Sequence, residues 1–297
     1  MKKKTTDIPA DALPRRRGRF TSICLRFSKN KMAMLGLILF LVVVFFAVFA
    51  DAFADYDAQA IKQNVYEKYQ SPNEKHIFGT DSYGRDLFAR IIFGARLSLV
   101  ISLSTVGISL VLGCILGALT AYYGGLFDSI VMRIVDVFLA VPMTLMAVTV
   151  VAALGSSIPN LILALTISMV PPFVRIVRSA VLQVKGSDYI EAAKAYGSGS
   201  ARIIMTHVLP NAIGPIIVQA TLNLASVLLS VAALGFIGLG VPSPTPEWGT
   251  MLAEAKEQMR YYPYLVIIPG VAIAVTVLAI NLIGDGLRDA LDPKLKN

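Results

Sequence analysis

The sequence is poor in charged residues and in the side chains from which metal and catalytic sites are built. Asp, Glu, Lys and Arg make up only 15% of its 297 residues, whereas 56% are hydrophobic, a mixture outside the usual range of soluble domains. The two cysteines, Cys24 and Cys114, fall in a basic tail and in an apolar run, so they indicate no disulfide framework. The two histidines, His76 and His207, form no metal-ligand cluster and no Ser/His/Asp constellation. These absences disfavour an intramembrane enzyme, and the composition predicts an integral membrane protein.

A nucleotide-binding loop is also missing. No G-x-x-x-x-G-K-[ST] pattern occurs, and the run 197–200 lacks both the lysine and a preceding strand. The apolar runs carry few ionisable groups near their centres, where each would cost about 2.5–3.5 kcal/mol, and an ion-coupled carrier would more often have one there. We therefore expect no cofactor on this chain and an energy source outside it.

The net charge of +8 is concentrated at the start of the chain. Residues 1–31 contain ten Lys or Arg and two Asp, which accounts for the whole excess. A basic tail beside an apolar run is typical of a cytoplasmic anchor near anionic lipid. Membrane lipid is therefore the expected partner of this tail, and nucleic acid is not.

The apolar runs predict an all-α polytopic membrane protein with six transmembrane helices. The first run is long enough to cross about 30 Å of hydrocarbon. The spans are expected at 32–50, 97–121, 137–154, 161–174, 212–239 and 265–283. A turn is expected at 122–136, and Pro171 and Pro172 should kink the end of the fourth span. Gly113 and Gly117 have the small-xxx-small spacing that allows close helix approach.

The distribution of basic residues predicts the orientation. With both termini inside, the inner segments carry 19 Lys or Arg and the outer ones carry eight, so the positive-inside rule places the termini and the loop 186–211 in the cytoplasm. The predicted parts are a basic cytoplasmic tail, a first span, an extracytoplasmic or interfacial segment, a five-helix core containing the loop, and a cytoplasmic C-terminal tail. Their ranges are 1–31, 32–50, 51–96, 97–283 and 284–297.

The loop 186–211 is a polar island between apolar runs. Asp188 with Glu191 three residues later predicts a capped helix start. The small residues that follow favour a helix, and Gly197 offers the left-handed conformation that ends one. A second short helix, capped by Ser198 or Ser200, is expected to stop before Pro210. Helices this short are marginal alone, so the small face suggests a closely fitting protein partner.

This loop resembles the EAA loop of permease subunits of ATP-driven importers. The residues that match the pattern at its spacing are Glu191, Ala192, Ala193, Gly197, Leu209 and Pro210. His207 stands where the pattern has Ile, which leaves the role of that position open. The resemblance implies that the loop is the docking and coupling site for a cytoplasmic ATPase.

A second motif, GTDSYGRD, opens the stretch 79–96. It resembles the signature of the dipeptide, oligopeptide and nickel branch of these permeases, and its candidate outer-mouth residues are Gly79, Asp81, Gly84, Arg85, Asp86 and Arg90. The helical spacing of the apolar residues predicts an interfacial helix whose basic side chains reach water, with Asp86 paired to Arg90. Two roles stay open: setting the angle at which the second span starts, and gating the outer mouth.

The resemblance extends over nearly the whole chain, because 234–252 and 281–296 also look like the C-type subunit of dipeptide and oligopeptide permeases. It implies the transmembrane domain of a type I ABC importer in the bacterial inner membrane. The implied partners are a B-type permease forming a heterodimer, two cytoplasmic ATPases that hold ATP and Mg²⁺, and an extracytoplasmic substrate-binding protein. Nickel or another small solute is the alternative cargo, and a self-contained secondary carrier is the alternative class. Trp248 is expected in an interfacial aromatic belt.

Overall fold

The computed structural model describes residues 19–291, so the start of the predicted basic tail and the last six residues lie outside the described residues. Within 19–291 the protein is helical and contains no β-strand beyond an isolated bridge between Thr80 and Asp86. The α-helices are α1 (Arg19–Lys29), α2 (Lys31–Val48), α3 (Ala50–Phe53), α4 (Leu87–Tyr123), α5 (Gly125–Leu139), α6 (Met143–Leu154), α7 (Ile158–Lys185), α8 (Asp188–Ala195), α9 (Ser200–Ile203), α10 (Leu209–Phe236), α11 (Trp248–Ala255) and α12 (Tyr264–Leu291). Short π-helical turns occur at Tyr56–Ile61 and Ile204–Val208, and a 3₁₀ turn at Val65–Glu67.

Five continuous helices of the described part are long and apolar enough to cross a membrane. They are α2, α4, α7, α12 and the helix Ser200–Phe236, which joins α9 to α10. The pair α5 and α6 makes a sixth span if it is counted as one, and its two helices are bent by 84°. The predicted all-α polytopic architecture is therefore confirmed.

The third span differs from the prediction. The segment 122–136, expected to be a turn, is mostly helix α5, and of the expected span 137–154 the first three residues end α5 and Met143–Leu154 form the short helix α6. Only Gly124 and Gly125, both with positive φ, form the turn. The polar residues beyond them lie on one side of an amphipathic helix, a pattern that resembles a turn when the helix period is overlooked.

Two other spans are longer than predicted. The stretch expected as a separate interfacial helix is the beginning of α4, which continues without a break to Tyr123. The fourth span was expected to end near Val174, but α7 passes through Pro171 and Pro172 and reaches Lys185. Neighbouring helices in a bundle support backbone groups that a proline leaves without a partner.

Helices α4 and α7 pack closely through the two glycines of the small-xxx-small pair. A Cβ atom on Gly113 would lie 2.4 Å from the Cβ of Phe173, and one on Gly117 would lie 2.7 Å from the carbonyl oxygen of Val174. The predicted close approach between helices is therefore present, and α7 is the helix that packs against the two glycines of α4.

Both described termini lie at the same end of the bundle as α8 and α9. Asn30, before α2, donates from Nδ2 to Asp289 Oδ2 near the end of α12, at 3.2 Å. The side chain of Leu291 reaches the surroundings of Gly214, near the start of α10. We call this end the loop end. The opposite end of the bundle is called the far end. Helix α4 begins there, and the segment 55–86 and α11 lie there.

Candidate functional site

Helix α8 begins differently from the prediction. Ser187 is the N-cap residue and makes no side-chain cap hydrogen bond, so the expected capping box of Asp188 and Glu191 is not formed. The Ser187 carbonyl accepts from Ile190 N at 2.9 Å and starts the helix one residue early. Asp188 and Glu191 instead lie in the first turn, where a negative charge is favoured by the helix dipole.

Gly197 ends α8 in the left-handed conformation, with φ of +76°. Its amide donates to Lys194 O at 2.9 Å, and the amide of Ser198 donates to Ala193 O at 3.1 Å. These two bonds form a Schellman motif, which uses the carbonyl groups that the last turn leaves free. No atom within 4 Å would meet a Cβ at Gly197, so backbone conformation rather than space requires glycine here.

The second helix of the loop does not stop before Pro210. Gly199, not Ser198 or Ser200, is the N-cap residue of α9, and no side chain caps it. A π turn that contains His207 then joins α9 to α10. Pro210 lies in the first turn of α10, a position where the missing N–H costs little. Helix Ser200–Phe236 thus connects the loop directly to a membrane span.

The loop has a buried face and a free face. The buried side chains pack with the ends of α4 and α7 in one apolar cluster, and they are Ile190, Ile203, Ile204 and Val208. Ala193 and Leu209 are partly buried against the same cluster. Glu191, Ala192, Gly197 and Pro210 are exposed. Tyr196 is 91% exposed. The loop is therefore fixed to the bundle on one side, while its other side presents Glu191, small residues and the ring of Tyr196.

The far end contains the second motif in a tightly folded segment. Gly79 and Gly84 have φ of +81° and +74°. A Cβ on Gly84 would lie 1.8 Å from Asn64 O, and one on Gly79 would lie 2.4 Å from Gln70 O. Both positions therefore need glycine for conformation and for space.

The basic side chains of this motif are buried, contrary to the prediction that they reach water. Arg85 is 0% exposed and Arg90 is 1% exposed. Asp81 Oδ2 lies 2.6 Å from Arg85 Nε and 3.4 Å from Arg90 Nε. Glu254 Oε2, on α11, lies 2.6 Å from Arg85 Nη2 and 3.0 Å from Arg90 Nη2. We call these four residues the far-end charge cluster. Its net charge is zero, because each arginine is balanced by a carboxylate.

The predicted pair of Asp86 and Arg90 is not formed. Asp86 caps α4 by accepting from Ala89 N at 2.8 Å, and its other carboxylate oxygen lies 2.8 Å from His76 Nδ1. A carboxylate at an N-cap is directed toward the backbone amides of its own helix, so it is not available to a side chain one turn further on.

Sequence reasoning missed the contribution of α11 to this site. Glu247 caps α11 and also accepts from Ser98 Oγ at 3.0 Å. Burial raises the pKa of Glu247 above its usual value, while the hydrogen bonds that it accepts act in the opposite direction. Trp248 was expected at the interface, but it is 1% exposed and donates from Nε1 to Ile91 O at 3.0 Å. The available signal was Glu247 directly before a short apolar run, because a negative charge is favoured at a helix N-terminus.

In residues 19–291 no group of three or more His, Cys, Asp or Glu side chains could hold a metal ion. The loop end presents the exposed residues Glu191 and Ala192, and at the far end two buried arginines connect the segment before α4 and its first turn to α11.

The fold is that of a polytopic α-helical membrane protein, and it resembles the fold of a solved ABC transporter. It superimposes on the methionine ABC transporter MetNI in an inward-facing conformation with a TM-score of 0.56 and 22% sequence identity, over 68% of this chain and 96% of that one. At this identity the likeness shows the fold alone.

The chain belongs to the family described as binding-protein-dependent transport system inner membrane component, which matches residues 109–297. Residues 20–72 match the N-terminal TM domain of oligopeptide transport permease C. The chain is 44% identical to the dipeptide transport system permease protein DppC of Alkalihalophilus pseudofirmus, over 92% of this chain and 89% of that protein. It is 46% identical to the di/tripeptide transport system permease protein DppC of Pseudomonas aeruginosa, over 91% of each. The predicted family is confirmed, and the chain is a non-catalytic permease subunit of an ABC transporter.

Proposed function

We propose that this chain forms half of the pore of an ATP-driven importer of dipeptides or oligopeptides. The observation that carries the proposal is the identity of 44% and 46% to two permeases named for dipeptide and di/tripeptide transport, extending over nine tenths of the chain. A B-type permease forms the other half, and an extracytoplasmic binding protein delivers the substrate. ATP and Mg²⁺ are held by two partner ATPases.

Coupling takes place at the free face of the loop. Glu191 and Ala192 are exposed beside the glycine-ended turn at Gly197, so a partner helix or groove reaches them without unfolding the loop. The opposite face is anchored by Ile190 and Ile203, each 0% exposed. A push on the free face therefore moves the loop together with the ends of α4 and α7.

The proposed orientation places the loop end in the cytoplasm of a bacterial cell, with the protein in its inner membrane. The charge distribution supports this proposal, because the tail, the loop and the C-terminal segment carry most of the Lys and Arg. The two described termini also lie at the loop end, as Asn30 and Asp289 are hydrogen bonded there. The five predicted parts, bounded at residues 31, 50, 96 and 283, stay a proposal.

We assign the far-end charge cluster to fixing the start of α4. Two arginines of the motif, Arg85 and Arg90, share Glu254 of α11, and Arg90 also donates from Nη1 to Ala60 O and Pro244 O, both at 3.2 Å. The guanidinium of Arg90 therefore contacts Ala60, Pro244 and Glu254, which links α4 to segments that lie far from it in the sequence. This contact supports the role of setting the angle of the second span rather than that of a moving gate.

Transport by the reconstituted complex tests the proposal. The chain is placed in proteoliposomes with its partner permease, both ATPases and the binding protein, and uptake of a labelled dipeptide, a labelled pentapeptide and radioactive nickel is measured with and without ATP. Peptide uptake that requires ATP and all partners is expected. Nickel uptake without peptide uptake would establish the alternative cargo. Uptake by this chain alone, without ATP, would establish a secondary carrier.

A further inference from the structure

Helix α5 buries little of its apolar surface against the rest of this chain. Among its residues, all of which are described, only Val135 is buried. Its large apolar side chains are mostly exposed, and those more than half exposed are Leu126, Ile130, Ile134 and Val137. The helix starts at the turn after Gly124 and lies at 84° to α6. Apolar packing alone therefore fixes its position weakly.

Two ion pairs connect α5 to α7 instead. Arg178 donates from Nε to Asp128 Oδ1 and from Nη2 to Asp128 Oδ2, both at 2.6 Å. Arg175 donates from Nη2 to Asp136 Oδ1 at 2.6 Å. The side chains of Arg178 and Asp128 are 30% and 17% exposed. The Arg178–Asp128 pair is bidentate and therefore fixes orientation as well as distance. Arg175 and Asp136 share a single contact and are 53% and 49% exposed, so their pair adds less to how α5 lies on α7.

The helix that carries both arginines leads directly into the loop. Helix α7 ends at Lys185, and α8 begins at Asp188. Lys185 Nζ donates to Ala121 O at 2.9 Å, just before the turn that begins α5. A displacement of the loop therefore acts on α7 within two turns of Arg178.

We propose that the pairs Asp128–Arg178 and Asp136–Arg175 are a tether through which movement of the loop 186–211 reaches the broken span made by α5 and α6. The inference rests on the proposed function, in which ATPases drive that loop. Apolar contacts between helices permit small sliding, whereas separating a partly buried bidentate pair leaves two charges without partners. Helix α5 thus follows α7 during the transport cycle, and the four residues are positioning residues.

The tether is tested by the number of substrate molecules transported for each ATP hydrolysed by the reconstituted complex. Asp128→Asn should lower this ratio by about twofold to thirtyfold, the range in which residues between two coupled sites change coupling. Asp136→Asn should lower it by less, because its ion pair is half exposed. The double variant Asp128→Arg with Arg178→Asp restores an ion pair with its charges exchanged. It should therefore recover most of the transport-to-hydrolysis ratio that Asp128→Asn loses. The matched control is Asp51→Asn, which removes the ion pair with Arg96 at 2.7 Å, at the other end of α4. It should leave the ratio unchanged.

A distance measurement provides a second readout that does not depend on the charge swap. Spin labels replace the exposed side chains of Ile130 on α5 and Leu182 on α7. Their separation should be the same in the nucleotide-free and nucleotide-trapped complex, and it should differ between these states when Asp128→Asn is added. A wild-type separation that changes between the states would overturn the tether.

The outcomes distinguish the tether from the proposed function. If the wild-type complex transports peptide and both Asn variants keep its ratio, the tether is wrong and the function stands. If the variants only reduce the amount of assembled complex at an unchanged ratio, the pairs are structural and the tether is again wrong. If the wild-type complex neither binds ATPases nor transports, the proposed function itself fails.

Discussion

Arg85 and Glu254 lie 169 positions apart in the sequence, and Arg85 Nη2 donates to Glu254 Oε2 at 2.6 Å. The contact joins the start of α4 to α11 and closes the far end of the bundle. Because Arg85 is completely buried, its guanidinium has no contact with solvent that could replace a missing partner.

Removing this carboxylate should destabilise the protein strongly. Glu254→Ala leaves Arg85 and Arg90 buried with Asp81 as the single remaining carboxylate near both, and loss of one partner of a buried ion pair costs about 3–5 kcal/mol. The expected result is a clear fall in the thermal unfolding midpoint in detergent. Glu257→Ala is the control, since Glu257 is exposed on the same segment. Equal midpoints for the two variants would contradict the buried cluster.

The packing of α4 on α7 is tested by two glycines of one helix. Gly117→Ala places a methyl group 2.7 Å from Val174 O, whereas Gly107→Ala meets nothing within 4 Å. Overpacking of this kind costs ~1–3 kcal/mol, while alanine favours a helix by about 1 kcal/mol over glycine at an open position. Thermal unfolding should therefore show a loss for position 117 and no loss for position 107. Similar losses at both sites would remove the special role of the close approach.

The left-handed turn at Gly197 predicts a graded response to substitution. Gly197→Val should abolish ATP-driven uptake with membrane insertion intact, because a β-branched residue at φ of +76° costs about 1–3 kcal/mol of backbone strain. Gly197→Asn should retain most uptake, since Asn tolerates this conformation. Uptake and insertion are measured on the same vesicles. Normal uptake by the Val variant would show that the turn is not needed for coupling.

The proposed orientation predicts one-sided labelling. In a background without Cys24 and Cys114, Tyr196→Cys should react with a membrane-impermeant thiol reagent only in inside-out vesicles, because Tyr196 is 91% exposed at the loop end. Ser71→Cys, exposed at the far end, should react only in right-side-out vesicles. The reverse pattern would invert the topology.

Much of the fold could be predicted from the sequence because the bilayer requires long apolar helices, and these are visible as hydrophobic runs. The broken third span was missed since Asp128 and Asp136 resemble turn residues until their partners are known. Those partners, Arg178 and Arg175, lie on α7. No local pattern contains such a long-range pairing.

The candidate sites were predictable to different degrees. Gly197 was recognised as a helix end because the left-handed conformation is a local property of the backbone. The burial of Arg85 and Arg90 was missed for the opposite reason: it depends on Glu254, far along the chain. A basic side chain on an amphipathic pattern is expected to be solvated unless a partner is known.

The most direct measurement of the central claim is the recovery of the two ATPases with this chain after purification from membranes. Glu191→Lys reverses a charge on the exposed face of α8, and Glu74→Lys makes the same change at an exposed far-end position. If the loop is the coupling site, the first variant should lose ATPase recovery and uptake together, whereas the second should keep both. ATPase recovery and uptake at the wild-type level in the Glu191→Lys variant would contradict coupling through this loop.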